Sequence, residues 1–323
     1  MVLGDCNPDV LVLGDDVTPA FGQQEKLVAS MSLVIGGSAA ITAVAAARLG
    51  LRVALVAAVG ADPAGRFMLD QLASEGVDTS AVAVRADAPT GMTVALSRGG
   101  DRAILTALGA VASLTASDVP AALLAAARHV HASSYFLLED SLGPGLAGVL
   151  AAARAAGART SLDTNWDPSG RWGDDRLRAA LAQADVLLPN EAEALRLAGQ
   201  PGLAAAVATL AGTGAAETGP AETGPAETGP AVVVKLGERG ALCASRGERW
   251  RVSLPPVTPV DATGAGDCFN AGLIAGLLDG LALPRAAALG CAAGALSTQA
   301  AGGTAGAPAR AAAAARAQLV SVS

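Results

Sequence analysis

Between residues 260 and 272 the chain reads Val-Asp-Ala-Thr-Gly-Ala-Gly-Asp-Cys-Phe-Asn-Ala-Gly. Gly264 and Gly266 permit a tight turn into a helix predicted to begin at Ala265. The first amides of a helix have no internal partner, and with the helix dipole they form an anion hole. Asp267 falls in that first turn and cannot itself bind an anion. It is placed to take a proton from a hydroxyl attacking a phosphorus atom that those amides hold. An ordinary helix start with an acid in its first turn would explain Asp267 alone. It does not explain the second acid, Asp261, on the other side of the glycines.

These residues need a frame to hold them. Short Val- and Leu-rich runs predict strands at Asp9–Leu13, Arg52–Val59, Met92–Ser97, Ala103–Thr106, His129–Ala132, Arg159–Asp163, Asp185–Leu188 and Ala231–Leu236. Amphipathic Ala/Leu stretches predict helices at Ser38–Leu49, Pro63–Glu75, Ser117–Ala126, Pro144–Ala156, Asp174–Ala184, Asn190–Ala198, Gly202–Ala211, Ala265–Leu278 and Pro284–Thr298. From about residue 120 strand and helix alternate, so the expected fold is α/β, a mostly parallel central sheet with helices on both faces. Thr90–Leu108 instead reads as a hairpin turning at Arg98-Gly99-Gly100-Asp101, either a small β lid or an edge hairpin. Ala-Glu-Thr-Gly-Pro stands three times in tandem from Ala216 to Pro230. Its regular Gly and Pro predict a flexible surface loop over 213–230.

The 323 residues are expected to form a single domain over 1–323. A hydrophobic share of 52% against 16% charged excludes wholesale disorder. Only 2% are aromatic, so the core must be Ala, Val and Leu, with small residues at helix–sheet contacts. The formal charge is −7 and the arginines are scattered among acids, so no nucleic-acid partner is expected. Cys6, Cys243, Cys268 and Cys291 form no CxxC pair and lie far in sequence from His129 and His131; reduced thiols are expected and a zinc site is not. No basic leader opens the sequence, and the uncharged stretch Ala286–Ala309 is too weakly apolar to span a bilayer. A cytoplasmic protein without membrane contact is expected.

The run Asp261–Gly272 resembles the C-terminal signature of the ribokinase-like (PfkB) carbohydrate kinases. Gly36-Gly37-Ser38-Ala39-Ala40, Ala47-Arg48-Leu49-Gly50 and Val59-Gly60-Ala61-Asp62-Pro63-Ala64-Gly65 resemble the N-terminal one, followed by Gly76-Val77-Asp78-Thr79. Gly4-Asp5-Cys6-Asn7-Pro8-Asp9, Asp163-Thr164-Asn165, Asn190-Glu191-Ala192-Glu193 and Lys235-Leu236-Gly237-Glu238-Arg239-Gly240 complete matches over nearly the whole chain. The resemblance implies a ribokinase-like fold and transfer of the ATP γ-phosphoryl group to a sugar hydroxyl, with Mg²⁺. Asp267 would be the base, and the amides of Gly264, Ala265 and Gly266 would hold the phosphoryl group. Asn7, Asp9, Gly36, Gly37, Asp163 and Asn165 would bind the sugar. Asn190, Glu193, Lys235, Gly237 and Gly240 would line the nucleotide, with Glu193 reaching Mg²⁺ through water. Asp261 and Thr263 would help hold a monovalent cation such as K⁺. The hairpin would be the lid, which in relatives can also pair two copies into a homodimer.

Plainer readings stand beside these. Asn7 and Asp9 could be turn residues before Val10, and Gly36-Gly37 could only cap a tightly packed helix. Asn190 and Glu193 have the spacing of a capping box. Lys235 could end its strand in solvent. Ile41 stands where relatives often carry a sugar-binding Asn, and no acid occurs in Ala132–Phe136. Asp163–Pro168 with Trp172 is more similar to 2-keto-3-deoxygluconate kinases and fructokinases than to ribokinases. A nucleoside kinase of the same superfamily and a non-catalytic sugar-binding regulator are the alternatives; an intact Asp267 argues against the regulator.

Overall fold

The computed structural model describes residues 1–98, 101–212 and 229–323. Most of the repeat tract, and Gly99-Gly100 at the tip of the predicted hairpin, lie outside the described residues. The large sheet runs in the order Ser321–Val322, Glu248–Ser253, Ala241–Ser245, Ala231–Lys235, Val186–Leu187, Arg159–Asp163, His129–Ser133, Val2–Leu3 and Val53–Gly60. Val77–Asp78 and Val82–Arg85 both pair with Val53–Gly60. Every pairing from Ala231–Lys235 inward is parallel, and the three beyond it are antiparallel. The parallel strands are buried on both faces almost throughout; Val53–Gly60 is wholly apolar, while His129–Ser133 and Arg159–Asp163 also bury polar side chains, among them His129, His131, Ser161 and Asp163.

A second, four-stranded sheet has the order Ser30–Gly36, Asn7–Leu13, Met92–Arg98, Asp101–Ala107. Its central strand begins at Asn7, so Asn7 and Asp9 are strand residues and not a turn before Val10. Asn7 pairs opposite Gly36 and Asp9 opposite Thr93. The strand Ser30–Gly36 has no counterpart among the predicted elements. Residues 30–33 are exposed, and what fixes them is pairing with a distant strand.

Two further departures have local causes. The helix expected at Ser117–Ala126 is split into a 3₁₀ turn, Ala116–Asp118, and a helix, Ala121–Ala126. Pro120 separates them and holds Val119 extended. Past Lys235, an unforeseen hairpin turns at Arg246-Gly247, both with positive φ, the geometry of a tight two-residue turn.

The helices Ala265–Leu278 and Leu283–Ser297 pack backbone to backbone. A Cβ on Gly272 would stand 2.7 Å from the Leu289 carbonyl oxygen, and one on Gly290 2.8 Å from that of Phe269. Gly272→Val should therefore lower unfolding free energy by about 1–3 kcal/mol through overpacking. Thermal denaturation checks this, and an unchanged melting temperature would show that the helices can spread at no cost.

Candidate active site

Three helices direct their amino ends to the edge where the parallel strands end: Ser38–Arg48, Glu191–Ala198 and Ala265–Leu278. In open α/β sheets this carboxyl edge is where ligands bind. Gly264 precedes the last of these helices at φ 72°, in the left-handed region. A Cβ there would lie 2.7 Å from both the Cα and the carbonyl oxygen of Gly303. The Asp261 carboxylate fastens the turn to that stretch. Its Oδ1 accepts from the Thr263 amide at 2.9 Å and the Thr263 hydroxyl at 2.7 Å, and its Oδ2 accepts from the Gly302 amide at 2.8 Å. Ile41 packs beneath; its Cδ1 lies 2.4 Å from where a Gly303 Cβ would be. An apolar residue at this position thus supports the turn.

Asp267 is 7% exposed. Burial drives its pKa well above the ordinary carboxylate value, with Asp163 and Asp5 adding to the rise. Lys235 and a hydrogen bond from Ser38 work in the opposite direction. Lys235, at the end of its strand, forms an ion pair with the fully buried Asp163. A Cβ on Gly266 would come 3.5 Å from its Nζ, so the ammonium lies over the anion turn. Burial disfavours that ammonium, but Asp163, Glu193 and Asp267 outweigh it and raise its pKa. With its side chain 13% exposed, Lys235 is a largely buried cation rather than a solvent-exposed strand end.

Asn190 and Glu193 form the capping box their spacing allows: Asn190 Oδ1 accepts from the Glu193 amide at 2.9 Å, and Glu193 Oε2 from the Asn190 amide at 2.8 Å. Glu193 is nonetheless buried, and desolvation followed by Asp163 lifts its pKa to about 7. Gly237 and Gly240 bracket the turn after Lys235 and line a cavity of about 250 Å³ beside Gly266, whose far wall is apolar, including Pro255, Val257 and Phe269.

On the lid side, Asn7 Nδ2 donates to Asp9 Oδ1 and to Thr93 Oγ1, each at 3.1 Å. A Cβ on Gly36 would fall 1.8 Å from Asp9 Oδ1, so only glycine lets this carboxylate sit there. Gly37 has φ 84° and lies against Asp5 and Asn7. Asp163 and Asn165 reach the site, but their polar atoms go to protein partners. Asp163 Oδ2 takes the Asn270 amide at 2.6 Å besides Lys235. Asn165 Oδ1 accepts from the Ser134 amide at 2.8 Å, and its Nδ2 donates to Ser38 Oγ at 2.9 Å.

Three participants had no role in the sequence reading. Asp5 caps the Ser38–Arg48 helix from a distance, accepting from the amides of Ser38 and Ala39 at 3.0 and 2.9 Å. It does what Gly37, lacking a side chain, cannot. Ser38 joins Asn165 to Asp267. Asn270 fixes Asp163; its signal was an amide in the otherwise apolar stretch Cys268–Gly276.

Residues 1–310 match the family described as pfkB family carbohydrate kinase. A fructokinase of Klebsiella pneumoniae is 32% identical over 84% of this chain and 85% of its own length. A fructoselysine 6-kinase of Shigella flexneri is 32% identical over 89% and 96%. Among solved structures, an E. coli protein assigned as a ribokinase, in complex with ATP and Mg²⁺, superposes with TM-score 0.81 at 25% identity, covering 98% of this chain and 97% of that one. No described helix is long and apolar enough to cross a membrane.

Proposed function

Since the chain belongs to the pfkB family of carbohydrate kinases and is a phosphotransferase acting on a sugar hydroxyl, we propose that Asp267 is its base and the turn Gly264–Gly266 its phosphoryl cradle. The observation that carries this is a buried carboxylate in the first turn of a helix whose entry loop is clamped by Asp261 and overlain by Lys235. The acceptor hydroxyl passes its proton to Asp267 as its oxygen bonds to the γ-phosphorus, and the bond from that phosphorus to the β–γ bridging oxygen breaks to release ADP. The Gly264, Ala265 and Gly266 amides face the charge that develops on the transferring group. Lys235 adds a cation beside them, released from Asp163 by the incoming phosphate. The apolar cavity beside Gly237 and Gly240 suits the nucleotide base.

Magnesium fits this place. Asp163 adds to the cost of ionising both Glu193 and Asp267, and a divalent cation relieves it. Among the described residues no three His, Cys, Asp or Glu side chains form a metal cage. Glu193 would therefore share the ion with phosphate oxygens and water. When bound, it neutralises phosphate charge. We assign Asp261 and Thr263, with the carbonyls of 300–304, to a potassium site that stiffens the turn. Exchanging choline for potassium at constant ionic strength should raise kcat. A flat response would remove the assignment.

For the acceptor we favour a fructose-like or 2-keto-3-deoxygluconate-like sugar, bound by Asn7, Asp9, Gly36 and Gly37. Support comes from Ile41, whose apolar side chain has no hydrogen bond to give a ribose, and from the relatives named for ketose-derived substrates. Coupled ADP release over a panel of ketoses, keto-acids, ribose and ribonucleosides tests this. Turnover confined to nucleosides would overturn the sugar reading, and binding without turnover would make the chain a regulator. On one face of the small sheet, Met31, Leu33 and Leu105 are 63%, 45% and 64% exposed, which supports pairing of two copies through it.

Lys235 lowers the pKa of both Asp267 and Glu193. The acid limb of kcat/KM against pH is expected above the ordinary carboxylate range, and Lys235→Met should move it to higher pH. A limb that stays in place or moves down would detach Lys235 from the base.

A further inference from the structure

One turn beyond Asp267, the helix Ala265–Leu278 carries Asn270, which is 0% exposed. The stretch Cys268–Gly276 around it is otherwise apolar. Asn270 Nδ2 donates to Asp163 Oδ2 at 2.6 Å. Among the described residues, its own Oδ1 has no hydrogen-bond partner. A buried carbonyl left so costs free energy, and an apolar side chain would fill the place without that cost. Stability alone therefore does not account for Asn270.

Asp163 is fully buried, and its partners are of two kinds. Two are fixed in the fold: Asn270 Nδ2 on Oδ2, and the Asn165 amide on Oδ1 at 3.2 Å. The third can move. Lys235, on a four-carbon stem, pairs with the same Oδ2 that Asn270 holds. Burial disfavours the charge of Lys235, and Asp163 is the largest of the influences that restore it. A Cβ on Gly266 would lie 3.5 Å from Lys235 Nζ, so the ammonium stands beside the Gly264–Gly266 turn while Asp163 grips it. Once a phosphate draws the ammonium away, Asp163 remains a buried carboxylate. The Asn270 and Asn165 donors still satisfy it, so release does not strand a bare charge.

We propose that Asn270 and Asp163 are positioning residues for Lys235: a fixed post that holds the ammonium beside the turn and hands it to the transferring phosphoryl group. Neither residue then contacts the sugar, and both act on turnover through Lys235 alone. The inference rests on the reading of Gly264–Gly266 as the phosphoryl cradle.

The test is a double-mutant cycle in kcat at saturating ATP, with the panel sugar of highest kcat/KM as acceptor. Lys235→Met should lower kcat by about 10²–10³-fold. Asn270→Ala should lower it about tenfold, the low end for a hydrogen bond to a charged group, and Asp163→Asn at least as much. In the Lys235→Met background, adding either change should move kcat by less than about twofold, the usual error of such cycles. The KM for the sugar should stay within the same margin throughout. Asp163→Asn leaves Lys235 as an unpaired buried charge. Should that unfold the chain, Asn270→Ala keeps both charges and Lys235→Met/Asp163→Asn removes both, so the comparison survives. A raised sugar KM with kcat unchanged would make Asp163 a sugar ligand and overturn the proposal. So would a loss as large in the Lys235→Met background as in the wild type, which would give the pair a role apart from Lys235, or full kcat in Lys235→Met, which would leave nothing to position. Gly264→Ala, run beside them, reads the cradle separately. If it lowers kcat and Asn270→Ala does not, the positioning pair alone is lost; if it leaves kcat intact, the cradle falls first.

Discussion

Asp267→Asn is expected to lower kcat by about 10²–10⁴-fold, the usual cost of losing a general base. The amide keeps the shape of the carboxylate but cannot take the acceptor's proton. Folding should not suffer. Burial raises the pKa of Asp267, so the folded state favours its protonated form. Stability contributed by this group is present below its ordinary pKa and is lost as pH rises through the raised value. At neutral pH the wild type carries that penalty and the Asn variant does not. The variant's melting temperature should equal or exceed the wild type's, while its ATP affinity stays close to normal. Retention of more than a tenth of kcat at saturating substrates would remove Asp267 from the role of base.

Gly264→Ala should cost about 10²–10³-fold in kcat, the range seen when one amide of an oxyanion-type cradle is misplaced. Two independent effects act at this residue. Its φ of 72° strains any residue with a Cβ, and that Cβ would meet the Gly303 backbone at 2.7 Å. Relief requires the turn to move away from Gly303, and the amides of Ala265 and Gly266 move with it. The loss should appear in kcat more than in the KM for the sugar, whose proposed contacts, Asp9 and Gly36, lie elsewhere. A loss smaller than tenfold, with the fold intact by circular dichroism, would mean that the turn does not hold the transferring group.

What the sequence disclosed, and what it did not, follows from the range of the forces involved. The turn at Gly264–Gly266, the glycine pair at 36–37 and the capping box at Asn190–Glu193 are local, and residue type and spacing express them directly. Five parallel strands of the large sheet, Val53–Gly60 and those from His129–Ser133 to Ala231–Lys235, were also legible as Val- and Leu-bearing runs between amphipathic helices, whereas Val2–Leu3, Val77–Asp78 and Val82–Arg85 are too short to carry a pattern. The strand Ser30–Gly36 was not, since its exposed residues acquire a strand's role only from Asn7–Leu13. Asp5 capping a helix that begins 33 residues later, Asn270 gripping Asp163 and Ser38 bridging Asn165 to Asp267 are likewise contacts across the sequence. No window of the sequence holds both partners. Buried Lys235 was ambiguous for the same reason: its burial is a property of Asp163, Glu193 and Asp267 gathered around it.

Val2–Leu3 lies in the middle of the large sheet, between Val53–Gly60 and His129–Ser133. Of all its strands it leaves the ribosome first, yet its second neighbour is made more than a hundred residues later. At about 5–20 residues per second, that interval is on the order of 10 s. Through it Val2 and Leu3 have at most one edge to pair with, and Gly4 and Asp5 cannot reach their places at the site. The helix Ala265–Leu278, which carries Asp267, is synthesised later still. Assembly of the catalytic end is therefore a post-synthetic event, and a nascent chain stalled before residue 129 should remain accessible to proteases along its first strand.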